Sequence, residues 1–203
     1  MLQIGSVESD TLELLKKLQS IHELVDTRLV GGTALAIQLG HRMSVDLDLF
    51  GCFDHEIITE TLKSESFNEF FVLSDKNFIK HYLINHVKVD IVKYEKYQWL
   101  ESAVIENNIK MAGLKDIAAM KIGAITNRGS KKDFVDLFFL LNIFNINEIL
   151  EFYQTKYPDA NLMAAILSLT YFEDAEKENM PRMIIHANWE EIKRKIIAVV
   201  KKI

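Results

Sequence analysis

Two aspartates one residue apart, Asp46 and Asp48, are the residues of this chain best suited to chemistry. Polar and apolar residues alternate around them from Ser44 to Leu49, which is typical of a half-buried strand. Both carboxylates therefore share one face, where they repel each other unless a cation lies between them. Magnesium is commonly held by one or two carboxylates together with substrate phosphates. The pair therefore predicts a site for a hard divalent cation, Mg²⁺ or Mn²⁺, beside a phosphorylated substrate.

Two glycines upstream, Gly31 and Gly32, are suited to binding the phosphates of the same substrate. They follow a short apolar run at residues 28–30 and precede a helix-compatible segment that starts at Thr33. A glycine-rich turn into a helix N-terminus presents backbone N–H groups to a phosphate. Gly-Gly alone also suits a tight turn, but the order of strand, Gly-Gly, helix and carboxylate strand favours a nucleoside triphosphate. Gly31, Gly32, Thr33 and Ser44 are therefore predicted to bind nucleotide.

A helix predicted near residues 114–128 carries cations on the side that should face the core. At 3.6 residues per turn, Lys121 lies in the middle of the apolar stripe, and Arg128 lies on the same side two turns later. Since burying an unpaired charge costs several kcal/mol, both cations are predicted to line a cleft and bind phosphate. The alternative is a long side chain that reaches past the stripe to water, which suits Arg128 better than Lys121.

The next segment, residues 134–144, is apolar at nearly every position and contains one charged residue, Asp136. A helix that is apolar on all sides is buried. Asp136 therefore either pairs with a buried cation, for which Lys121 and Arg128 are nearest in sequence, or faces a polar site. Asp133, one turn earlier, is interpreted as a residue that caps this helix.

A further acid, Asp90, lies between apolar neighbours on a predicted strand, Val89-Asp90-Ile91-Val92. It is either a third metal ligand or an exposed residue of an edge strand, paired with Lys88 on the same face. The residues alone leave both interpretations open.

As a set, these motifs resemble those of a known family. Gly-Gly-Thr-Ala-Leu at 31–35 and Arg-x-Ser-x-Asp-x-Asp-Leu-Phe at 42–50 resemble the first motif of the polymerase-beta-like nucleotidyltransferases, in the form of the AbiEii/AbiGii-like abortive-infection toxins. The segments at 116–121, 128 and 132–137, and a block near 169–181, are similar to that family's later motifs. The resemblance implies that Lys121 and Asp136 complete the active site, and that a neighbouring strand supplies a third carboxylate, best matched by Asp90.

The fold expected is α+β (α/β): a small mixed sheet in a nucleotidyltransferase core over 1–105, and a helical region over 106–203 packed on it, either separate or continuous with it. Strands are predicted at 28–31, 45–50, 70–73, 78–84 and 87–92. Helices are predicted at 11–24, 33–39, 56–64, 115–126, 132–144, 146–157, 162–169 and from 189 to the end.

The function expected is Mg²⁺- or Mn²⁺-dependent transfer of a nucleoside monophosphate from an NTP to an acceptor hydroxyl. Asp46, Asp48 and Asp90 would hold the metal, while Lys121 binds the triphosphate and Asp136 orients Lys121 or contacts the nucleotide. The resemblance implies a toxin that acts on RNA, at the 3′ end of tRNA, and a separate antitoxin protein. Two alternatives remain: an acceptor that is a small hydroxylated molecule such as an antibiotic, and a non-catalytic nucleotide-binding regulator.

Composition sets outer limits on these hypotheses. The chain has 203 residues with 49% hydrophobic and 26% charged residues and a formal charge of −5, so no overall positive charge points to nucleic acid. A single cysteine, Cys52, excludes an internal disulfide and favours the cytoplasm. No signal peptide is evident at residues 1–10, and no apolar run, such as the aliphatic and aromatic run at 137–141, is long enough to cross a membrane.

Overall fold

Seven strands form one mixed sheet in the computed structural model, which describes residues 3–203. Residues 1 and 2 of the predicted core lie outside the described part. The strands are β1 (Arg28–Leu29), β2 (Leu47–Gly51), β3 (Phe70–Asp75), β4 (Ile79–Ile84), β5 (Val87–Lys93), β6 (Val104–Glu106) and β7 (Ile109–Met111). Their order across the sheet is β3-β4-β5-β2-β1-β7-β6. β2 runs parallel to β5 and β1 parallel to β7, whereas the other neighbouring pairs are antiparallel.

Side chains along β2 and β5 alternate between a fully buried face and the face that carries Asp48 and Asp90. Leu47 and Leu49 of β2 are fully buried, as are Val89 and Ile91 of β5. The parallel register places Asp48 opposite Asp90 and Phe50 opposite Val92, so these four side chains share the other face. The interpretation of Asp90 as an edge-strand residue is wrong, because β5 lies between β4 and β2.

Two hairpins complete the sheet. Asn85 and His86 have φ of 49° and 65° and connect β4 to β5, in the two-residue turn that the sequence predicts. Asn107 and Asn108, with φ of 55° and 61°, make a similar turn between β6 and β7. The sequence pattern does not predict this second hairpin, because strands of three residues are too short to show a clear alternation.

The helices agree with the sequence pattern except near their ends and at residues 173–176, where the sequence does not predict the short helix that the structure has. They are α1 (Ser9–Ser20), α2 (Gly31–Leu39), α3 (Ile58–Ser64), α4 (Leu114–Asn127), α5 (Lys131–Leu140), α6 (Ile146–Lys156), α7 (Leu162–Ser168), α8 (Glu173–Glu176) and α9 (Trp189–Val200). The predicted helix over 11–24 ends early, and its last residues form a short 3₁₀ turn, His22–Leu24. α5 ends at Leu140 instead of residue 144, because Asn145 and Glu148 form a capping box that starts α6 and the chain must turn before it.

One hydrophobic core extends through both halves of the chain. β1 pairs with β7, and α4 packs against α2, α5, α6 and α7. The sheet therefore continues past residue 105, and the proposed boundary there stays a prediction. Within residues 3–203, no helix has the length and apolar content needed to span a bilayer.

Candidate active site

A cavity of about 460 Å³ lies between the start of α2, the start of β2 and one side of α4. This volume falls in the range of about 300–1,000 Å³ that is usual for small-molecule sites. We call it the active-site cavity. Among its lining residues are most of those singled out from the sequence: Gly31, Gly32, Thr33, Ser44, Asp46, Asp48, Lys121 and Arg128. Asp90 and Asp136 lie outside this lining, next to residues that belong to it.

The two glycines allow charged side chains to lie against the backbone. Gly31 has φ of +69°, and a Cβ there would lie 2.5 Å from Asp48 Oδ2. A Cβ on Gly32 would lie 2.1 Å from Arg42 Nη2. Both distances are shorter than the contacts that Cβ atoms make. α2 consequently begins at Gly31, two residues earlier than predicted, and its first N–H groups have no partners within the helix.

The loop before β2 is fixed by side-chain hydroxyls. The hydroxyls of Thr33 and Ser44 lie 2.9 Å apart, and Thr33 also donates to the backbone carbonyl of Asp46. Ser44 N donates to Ser6 O at 3.0 Å. The ladder of β2 therefore starts at Leu47, so Ser44 and Asp46 precede the strand on which the sequence places them.

Asp48 lies in an acidic environment. Burial, together with the nearby charges of Asp90 and Asp46, raises its pKa to about 6, although Lys121 and Arg128 act in the opposite direction. Like charges held this close destabilise one another until a cation or a proton neutralises them. This is the electrostatic setting that a divalent cation would relieve.

The donor set fits Mg²⁺ in type, since it consists of carboxylate oxygens. Asp46 and Asp48 line the cavity, and two carboxylates plus substrate phosphates are a usual magnesium environment. Asp90 is engaged elsewhere: its carboxylate lies 2.7 Å from His81 Nδ1 and 3.2 Å from Lys88 Nζ. Across residues 3–203, no three ligating side chains are already grouped at metal-binding positions.

Lys121 is buried and held by two carboxylates. Its Nζ lies 3.0 Å from Asp133 Oδ1 and 2.5 Å from Asp136 Oδ2. Burial alone would lower the pKa of this ammonium group, but the two acids outweigh burial and raise it. Lys121 therefore stays charged at the wall of the active-site cavity.

Asp136 is fully buried and makes the contacts of a positioning residue. Besides Lys121, it accepts hydrogen bonds from Arg42 Nε at 2.7 Å and Arg42 Nη2 at 2.9 Å, and His41 Nε2 lies 2.8 Å away. Burial opposes its ionisation, yet Lys121 and Arg42 hold its pKa well below the usual range. The structure thus places Asp136 behind Lys121. Arg128, expected from the sequence as a possible partner of Asp136, pairs instead with Asp133.

Asp133 is a member of the charge network, so its interpretation as a simple helix cap is wrong. Arg128 donates to it through Nε at 2.9 Å and Nη2 at 3.1 Å, and Ser130 Oγ donates at 2.8 Å. Together with Lys121, these groups overcome the effect of burial and lower the pKa of Asp133 to about 2. The sequence signal was available: Lys121 on α4 and Arg128 just after its end, seven residues apart, face two acids three residues apart on α5. For Arg42 and His41, no periodic pattern gave such a signal.

Comparison with known proteins places this geometry among related chains. The family model for the "Nucleotidyl transferase AbiEii toxin, Type IV TA system" matches residues 14–202. An uncharacterised protein of Aquifex aeolicus (strain VF5) is 36% identical over 202 residues, covering 94% of this chain and 96% of its own.

Solved structures share the fold. JHP933 from Helicobacter pylori superposes with a TM-score of 0.57 at 17% identity, covering 97% of this chain and 92% of that chain. The nucleotidyltransferase toxin MenT4 of Mycobacterium tuberculosis H37Rv gives 0.55 at 16% identity, covering 99% of this chain and 87% of its own. These likenesses confirm the predicted mixed α/β fold.

Proposed function

This chain belongs to the AbiEii nucleotidyl transferase toxin family, as its motifs predict, and we propose that it transfers a nucleoside monophosphate from an NTP to a terminal hydroxyl of RNA, the 3′ end of a tRNA. One observation carries the proposal. A single cavity brings two acidic side chains, a glycine-led helix N-terminus and a buried, carboxylate-held lysine together.

The phosphate groups would lie where positive charge and free N–H groups converge. Gly31 and Gly32 are the first residues of α2, so their N–H groups lie at its N-terminus. The same cavity is lined by Lys121, Arg128 and Lys132. Helix N-termini and cations both stabilise phosphate charge. Because Lys121 is already fixed by Asp133 and Asp136, its charge needs no rearrangement when the triphosphate arrives.

Asp46 and Asp48 would hold Mg²⁺, and Asp90, whose carboxylate contacts His81 and Lys88 in this structure, would turn toward the metal as the third carboxylate. When bound, the metal supplies charge neutralisation at the phosphoryl oxygens and at the leaving pyrophosphate. In the reaction, the acceptor hydroxyl oxygen forms a bond to the α-phosphorus and the bond to pyrophosphate breaks. Asp90 lies opposite Asp48, and in this proposal its carboxylate accepts the proton that the acceptor hydroxyl releases.

An antitoxin partner follows from the family, which is described as part of a type IV toxin–antitoxin system. A second candidate function keeps the same chemistry and changes the acceptor to a small hydroxylated molecule. The non-catalytic alternative is disfavoured by membership of a transferase family and by the retained set Asp46, Asp48, Lys121 and Asp136.

Incubation of the protein with each α-³²P-labelled NTP, Mg²⁺ and total RNA tests the proposal. We expect label in the tRNA band, and a loss of about 100-fold or more in Asp48→Ala and Lys121→Ala, since each removes charge stabilisation from the transition state. Lys16→Ala, a change at an exposed position of α1, serves as control.

Equal labelling by the wild type and both site variants would remove the site assignment. Transfer to added hydroxylated small molecules without RNA labelling would favour the second candidate. Label that persists after chelation of divalent cations would contradict the metal requirement.

A further inference from the structure

A second cavity, of about 670 Å³, adjoins the active-site cavity. Its walls are unusually rich in aromatic rings, and we call it the aromatic cleft. The rings that line it are those of Phe50, Phe78, Tyr94, Tyr97, Tyr153 and Tyr157. No role in the proposed chemistry accounts for these rings.

The cleft and the active-site cavity share a wall. Five residues line both: Phe50, Ile79, Met120, Ala124 and Asn127. The sheet makes the same connection, because Phe50 and Val92 follow Asp48 and Asp90 by two residues on the same face and pair with each other. Two residues along a strand span about 7 Å. The cleft thus begins one pleat beyond the carboxylates.

The phosphate-binding groups do not extend into the cleft. Gly31, Gly32 and Lys132 line the active-site cavity but not the aromatic cleft. A triphosphate whose α-phosphorus lies at Asp46 and Asp48 and whose other phosphates reach those groups has its nucleoside attached at the carboxylate end. The adjoining space at that end is the aromatic cleft.

We propose that the aromatic cleft binds the nucleoside of the NTP by stacking of its base on tyrosine rings. This inference rests on the proposed function. Every nucleobase has a π-face that stacks on aromatic side chains. Tyr97 and Tyr157 supply such rings, with centroids 4.8 Å apart and planes at 78°. Asn127, at the shared wall, adds an amide that can hydrogen-bond to the nucleoside.

Charge in the cleft favours a single nucleoside over a continuing RNA strand. Its two lysines already have acidic partners: Lys93 Nζ lies 3.2 Å from Glu95, and Lys96 Nζ lies 3.6 Å from Asp159. Grooves that follow a polynucleotide present cations to its backbone. An uncharged base and ribose suit this lining better than a run of phosphates.

Gly123 provides a way to fill the cleft without touching the charge network. It lies on α4 and lines the cleft. A Cβ there would meet Tyr153 Cε2 at 3.7 Å and Tyr157 Cε2 at 4.0 Å, which are ordinary contacts. Gly123→Ala should therefore be accommodated, whereas Gly123→Leu extends into the cleft. Tyr97→Ala removes a ring and adds no atoms.

The test compares the dissociation constants of an NTP and of inorganic tripolyphosphate by calorimetry, in one Mg²⁺ buffer. We expect Gly123→Leu and Tyr97→Ala to weaken NTP binding by about 5-fold or more, with tripolyphosphate binding unchanged. Gly123→Ala should match the wild type for both ligands. If Gly123→Leu loses both ligands, its fold is damaged and Tyr97→Ala decides.

Three results would overturn the inference. One is a wild type that binds NTP no more tightly than tripolyphosphate, and another is NTP binding unaffected by Tyr97→Ala. A third is that the cleft variants bind NTP as the wild type does but have a raised KM for RNA, which would mean that the cleft binds the acceptor. If the wild type binds neither ligand, the active-site cavity itself is wrongly assigned, and the proposed function fails with the inference.

Discussion

Two aspartates of the site, Asp48 and Asp133, differ in the charges around them. Asp48 has two acidic neighbours, and its pKa rises to about 6. Asp133 contacts Lys121, Arg128 and Ser130, and its pKa falls to about 2. An identical Asp→Asn replacement should therefore change stability in opposite directions at the two positions.

Asp48→Asn should stabilise the metal-free protein near neutral pH. The folded-state pKa lies above the unfolded value of about 3.9, so ionising Asp48 costs the folded state free energy above pH 6, and this cost disappears below about pH 4. We expect an increase of up to about 3 kcal/mol in the free energy of unfolding at pH 7.5 and none at pH 4. Denaturant titration in EDTA measures this free energy of unfolding, and Asp26→Asn, a change at an exposed position, serves as the control. A destabilised variant at pH 7.5 would contradict the environment described for Asp48.

Asp133→Asn should destabilise the protein. The folded-state pKa of Asp133 lies below the unfolded value, so its ionised form contributes stability above about pH 4 that is lost as the pH falls toward 2. We expect a loss of about 2 kcal/mol at pH 7, which becomes smaller at pH 3.5. The same titrations measure this, and an unchanged variant would show that Lys121 and Arg128 do not depend on Asp133.

At this scale, the sequence revealed those charges that interrupt an otherwise apolar pattern. Lys121 and Asp136 stand out because their neighbours are apolar, and they contact each other. Asp133 lies among Ser130, Lys131 and Lys132, where an acid looks like an ordinary cap. Arg42 lies in a loop and has no periodic context. Its pairing with Asp136, 94 residues away, is a tertiary contact that local pattern cannot show.

At the scale of elements, the start of α2 is tightly constrained by neighbouring side chains. Gly32 lies beneath Arg42, and Gly31 lies beneath Asp48. The sequence predicted a helix here and its role beside phosphate, but not the reason for two glycines, since the approaching side chains come from the following loop and strand. The strands and most helices were predictable from their periods of 2 and 3.6, whereas the β6–β7 hairpin was not.

Gly32→Ala should separate Arg42 from Asp136. The added methyl would occupy the position of Arg42 Nη2, and breaking a buried ion pair costs about 3 kcal/mol. We expect a loss of that size in the free energy of unfolding, together with reduced nucleotidyl transfer. Gly5→Ala is the matched control, because a Cβ on Gly5 meets nothing within 4 Å. If both variants are equally stable, Arg42 is free to move and the constraint is not real.

For the whole molecule, the two halves should unfold together. β1 pairs with β7 across the predicted boundary at residue 105, and Lys156 Nζ of α6 lies 4.7 Å from the ring centroid of Trp99. Trp189, in the other half, packs against Phe134 at 5.9 Å between centroids. The two tryptophans therefore report on separate halves of one core.

Single-tryptophan variants Trp99→Phe and Trp189→Phe test this cooperativity. We expect the fluorescence midpoint of each variant in urea to coincide with its own far-UV circular dichroism midpoint, as in two-state unfolding. Comparing each variant with itself removes any change in stability caused by the substitution. Separate midpoints for fluorescence and circular dichroism would instead support two domains that divide near residue 105.

The close approach of side chains to Gly31 and Gly32 has a genetic consequence. Every missense change in a glycine codon introduces a Cβ, and at these two positions that atom collides with Asp48 or Arg42. Among cells that survive expression of this chain, point mutations should therefore recur at these two codons, whereas substitutions introduced at the codon for Gly5 should not rescue growth.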